Sequence, residues 1–155
     1  MGSRYISQLS SQHRYGMSLK EIPLTQLGWA GVTTGVIWGG LNLGIDLMFQ
    51  SLELEGSYLS LILSFSVAGA LFSLFILFLG AWFADAETRN PYSTMIKISL
   101  LVWVVSITFG GIASRYDPER YHFSMIETVW SGGKVLLLGI LLGWRIKRIL
   151  NKPAV

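Results

Sequence analysis

Four apolar stretches, at 26–50, 58–84, 93–114 and 125–144, take up most of the 155 residues. A hydrocarbon layer of roughly 30 Å is crossed by about 20 apolar residues in helical form. Backbone amides find no water at that depth, so each stretch has to close its hydrogen bonds within itself, as a helix does. The sequence therefore predicts an all-α integral membrane protein. Hydrophobic residues make up 52% of the chain and charged residues 14%, whereas soluble domains carry about 25% charged residues. The second stretch has no charge between Glu55 and Asp85, while the fourth is interrupted by Glu127 and Lys134. A three-span arrangement without the fourth is the alternative.

The connectors at 51–57, 85–92 and 115–124 are short, which makes successive spans antiparallel neighbours. The expected fold is an up-and-down bundle of four transmembrane helices. One such bundle at 26–144 exhausts the chain, with an N-terminal segment at 1–25 and a basic tail at 145–155. Lysine and arginine set the orientation. With both termini cytoplasmic, that side holds Arg4, Arg14, Lys20, Arg89, Lys97, Arg145, Lys147, Arg148 and Lys152, and the other holds Arg115 and Arg120. Trp29, Trp82 and Trp144 fall at the inner interface and Trp130 and Tyr58 at the outer one, where amphipathic rings are favoured. The expected location is a bacterial plasma membrane or an organelle membrane of bacterial type.

Several chemistries drop out. The chain has no cysteine, which removes disulfides, thiolate metal sites and a cysteine nucleophile. His13 and His122 are too few for a metal site, so no metal or other cofactor is expected. The net charge of +3 comes from residues flanking apolar spans, which reflects topology and not nucleic-acid binding. The first residues lack the order of a cleavable signal peptide, and Ile6 stands where a myristoylation motif needs Ser or Thr. No catalytic residue is assigned. The charged connector from Arg115 to His122 reads as a solvated loop, because no nucleophile motif or phosphate cradle accompanies it.

Two groups of residues remain. Gly31, Gly35 and Gly39 share an arc of about 80° on the first helix. Such a face lets another backbone approach, either inside the bundle or from another chain. Asn42 and Asp46 extend it toward the outer end. On the fourth helix Gly132, Gly139 and Gly143 form a second stripe, while Glu127, Ser131 and Lys134 lie on a different face. Lys134 follows Met125 by about 13 Å of helix, and Asp46 lies about 6 Å inward from Gln50. Side chains lean toward their helix N-terminus, so on antiparallel helices these two converge. An intramembrane ion pair between Lys134 and Asp46 is predicted, shared with Asn42 or Glu127. The competing reading has Lys134 snorkel along its own helix to the outer headgroups. These features point to a non-enzymatic accessory or assembly subunit of a membrane complex, in contact with lipids and with other transmembrane subunits or copies of itself. The alternative is a small oligomeric transporter or channel using Lys134, Asp46, Asn42 and Glu127.

Overall fold

The computed structural model describes residues 19, 22–49, 57–83, 90–117 and 124–151. It contains four helices, α1 (Leu24–Met48), α2 (Tyr58–Phe83), α3 (Pro91–Tyr116) and α4 (Met125–Leu150), with no strand among the described residues. Asn90 caps α3 by accepting from the Tyr92 amide at 3.1 Å, ahead of Pro91, which is preorganised for the first turn. Ser124 caps α4 through the Glu127 amide at 3.4 Å.

The helices associate as two antiparallel hairpins, α1 with α2 and α3 with α4, each more closely packed than any contact between hairpins. In the first, a Cβ built on Gly35 would lie 2.5 Å from Ala70 Cα, and one on Gly39 would lie 2.8 Å from the Phe65 carbonyl carbon. Gly31 faces Leu74 and Leu77. In the second, a Cβ on Gly143 would lie 2.7 Å from Tyr92 Cα, one on Gly139 3.1 Å from Ile96 Cα, and one on Gly132 2.7 Å from the Trp103 ring. Glycine brings these backbones within reach of dispersion and weak Cα–H contacts that any side chain would block.

Between the hairpins α1 meets α4, and α2 meets α3 more thinly. Ile76, Leu77, Met95, Leu138, Leu142 and Ile146 form a fully buried centre in the half where α1 begins and α4 finishes, here the proximal half. Leu19 and Ile22 close it from below, so part of the N-terminal segment belongs to the core.

Three helices, α2, α3 and α4, are long and apolar enough to cross a membrane, which marks a multi-pass membrane protein by length and composition. Only 22, 17 and 22% of their most apolar windows are buried within the bundle. Their remaining apolar surface faces outward, an arrangement that water would oppose at about 25 cal/mol per Å². The first helix was expected to match them but falls outside this set. Its glycines, Thr33, Thr34, Asn42 and Asp46 dilute its apolar character, and Gly31, Thr34, Gly35, Gly39 and Asn42 are buried against neighbours. A second difference lies at the end of α4, which runs to Leu150 and not 144. Arg148 stacks on Trp144 one turn earlier at 4.1 Å, and Lys147 lies 5.6 Å from the Tyr92 ring. Both cations also favour the negative end of the helix dipole. Most of the N-terminal segment expected at 1–25, with Arg4, His13, Arg14 and Lys20, as well as Arg89, Arg120, His122 and Lys152, lie outside the described residues.

Candidate functional site: the seam between α1 and α4

Asp46 sits less than one turn from the end of α1, and Lys134 lies about two and a half turns into α4. The Lys134 backbone lies proximal to Asp46, beside Trp38, and the lysine stem runs distally along the α1–α4 seam to span the difference. Lys134 Nζ donates to Asp46 Oδ1, forming a direct ion pair whose side chains are 18% and 15% exposed. At that exposure both charges have lost most of their solvent. The pair therefore adds little net stability, but either charge left alone would cost several kcal/mol.

Two other contacts flank it. The Trp38 indole N–H of α1 donates to the Lys134 carbonyl at 2.8 Å, and Phe49 meets Trp130 edge to face with centroids 5.0 Å apart. Lys134 is thus held by α1 at both its ammonium and its backbone. Asn42, which is buried, gives its amide to the Trp38 carbonyl at 3.0 Å and so braces the tryptophan one turn away. Trp38 also stacks on Phe72 of α2 at 5.7 Å. Glu127 is exposed, two turns toward the distal end of α4, and its side chain joins no ion pair with Lys134. Of the four expected polar residues, Lys134 and Asp46 meet, Asn42 supports them indirectly, and Glu127 stands apart.

Sequence reasoning did not assign Trp38 or Trp103 to the site. Trp103 Nε1 donates to Ser131 Oγ at 3.1 Å, tying α3 to α4 as Trp38 ties α1 to α4. A signal was present: both tryptophans lie mid-span, away from the interfaces where indoles are favoured, and a buried indole N–H requires an acceptor. Trp38→Phe should lower stability by about 1 kcal/mol through the lost bond. Thermal unfolding in mild detergent checks this, and an unchanged midpoint would mean that the indole bond contributes nothing.

Distal to the core, the hairpins part. A cleft of about 510 Å³ opens between all four helices, lined by Trp38 from α1, Ala68 and Phe72 from α2, Trp103 and Ile107 from α3 and Val135 from α4, among others. No group of His, Asp or Glu able to hold a metal ion occurs among the described residues. Protein-family models, curated proteins and solved structures contain no match to this chain.

Proposed function

We propose that this chain is a multi-pass membrane protein with both termini cytoplasmic, working as a non-enzymatic accessory or assembly subunit through its helix faces. The lysine and arginine distribution supports the orientation, and the outward apolar surface of α2, α3 and α4 supports insertion. A bacterial plasma membrane or an organelle membrane of bacterial type suits this topology.

One observation carries the subunit reading. Mid-helix glycines of α1 lie on two opposite faces: Gly31, Gly35 and Gly39 are occupied by α2, whereas nothing lies within 4 Å of a Cβ built on Gly40 or Gly44, nor on Gly28 near the start of the helix. The open face is flanked by exposed Trp29, Ile37 and Leu41. In lipid, a small-residue face of this kind favours close approach of another helix, here one from a different chain. The double variant Gly40→Ile, Gly44→Ile leaves internal packing untouched and should release co-purifying transmembrane chains, or separate copies of this one, from a folded bundle. Mild-detergent purification followed by native gels reads this. Assemblies of unchanged size and composition would reject the role of that face.

The Lys134–Asp46 pair favours a second reading, a small oligomeric transporter or channel in which these two residues, with Asn42 nearby, form the polar centre. Flux through reconstituted vesicles that disappears in a folded Lys134→Met variant would support it.

A further inference from the structure

We propose that the proximal end of α4 binds the phosphate of an anionic phospholipid, held by Lys147 and Arg148 on its outer face. The inference rests on the membrane reading above but not on the subunit role.

Trp144, Lys147, Arg148 and Asn151 fall within an arc of about 100° on α4, and all four are exposed. Lys147 is about 40° round from Gly143, which packs on Tyr92, so the arc starts beside the α3–α4 seam and turns outward. Along the axis the two cations lie about 15 Å from the middle of α4, half the thickness of a roughly 30 Å hydrocarbon layer. That is the level of lipid phosphates.

Each cation is parked on a ring. The Arg148 guanidinium lies 4.1 Å from the Trp144 ring, and Lys147 Nζ lies 5.6 Å from the ring of Tyr92 on α3. A stacked guanidinium keeps its N–H donors free at the edges, where their fork matches two oxygens of a phosphate. Rings that hold the cations in advance lower the ordering cost of binding. The carboxylates among the described residues, Asp46, Asp117 and Glu127, all lie in the distal half. The ammonium of a zwitterionic headgroup therefore finds no counter-charge among them, and a lipid of net negative charge is favoured.

Hydrocarbon beside the cations separates a lipid from a soluble anion. Distal to Trp144 the same side of α4 carries exposed Ile140 and Leu136, and then Gly133, where an added Cβ meets nothing within 4 Å. From Gly133 to Trp144 the helix rises about 16 Å. An acyl chain running inward from the phosphate covers this apolar surface, which inorganic phosphate or an acidic peptide does not.

The test is native mass spectrometry of the full chain in mild detergent, titrated with phosphatidylglycerol and phosphatidylcholine of identical acyl chains. One phosphatidylglycerol should bind in preference to phosphatidylcholine. The double variant Lys147→Gln, Arg148→Gln should weaken it about thirtyfold, each cation contributing about fivefold at an anionic surface. Trp144→Leu keeps both charges, removes the ring under Arg148 and should weaken binding about threefold, which provides a second reading if the double variant fails to fold. Lys97→Gln removes an exposed cation about 140° round α3 from Tyr92, and should leave the affinity within about twofold. Equal binding of the two lipids, unchanged affinity in the folded double variant, or an equal loss in Lys97→Gln overturns the proposal. Displacement of the lipid by an equal concentration of inorganic phosphate or polyglutamate overturns it too, in favour of a soluble partner. Extraction of the chain from vesicles by alkaline carbonate would instead sink the membrane reading itself.

Discussion

Replacing Lys134 by methionine is expected to destabilise the bundle by about 3 kcal/mol, the low end of the range for removing one partner of a buried ion pair. Methionine keeps most of the lysine stem and removes the charge, so packing changes little. What remains is the Asp46 carboxylate, 15% exposed, with its ammonium partner gone. The reciprocal change should cost less. In Asp46→Asn the lysine retains a flexible stem of four methylenes, able to carry its charge toward the distal headgroups, which a short aspartate cannot do. Unfolding in a graded series of SDS and mild detergent measures both. Near-neutral effects from both variants would indicate that Lys134 is solvated along its own helix and that the contact with Asp46 holds nothing.

Gly35→Ile should open the first hairpin. The new Cβ would fall on the backbone of Gly69 and Ala70, 2.5 Å from Ala70 Cα, where no flexible side chain can move aside. The helices have to separate, and the loss should reach about 3 kcal/mol, the upper end for overpacking. Gly40→Ile on the same helix meets open space and should lie within about 0.5 kcal/mol of the unmodified protein. Comparing the two isolates geometry from the intrinsic helix propensity of glycine, which is shared by both sites. Equal stability of the two variants would mean that α1 and α2 do not pack through Gly35.

Much of this architecture is legible in the residues because a hydrocarbon layer leaves few options. Long apolar stretches must be helices, short connectors make them antiparallel, and glycines at a spacing of four permit close contact. The height of Lys134 relative to Asp46 follows from helical rise alone. Less legible is which way each helix faces. α2 is apolar all round, so no polar stripe tells its packed side, marked by Gly69, Ser73 and Gly80, from its outer side. The end of α4 was obscured for another reason: Arg145, Lys147 and Arg148 mark where an apolar span stops but do not stop a helix. The cleft was hidden because it arises from the way two closely packed hairpins meet, which depends on the shapes of Trp38, Phe72 and Trp103 and not on any spacing along the chain. The indole bonds to Lys134 and Ser131 belong to the same meeting of surfaces.

A lysine and an aspartate join the two hairpins across the α1–α4 seam, and a double-mutant cycle tests most directly whether that contact couples them. Stability is measured for the unmodified chain, Asp46→Asn, Lys134→Met and the double variant. A pair in contact predicts that the second change costs much less once the first is made, with a coupling of about 1–3 kcal/mol. Losses that add to within about 0.5 kcal/mol would contradict it, because side chains that do not interact behave independently.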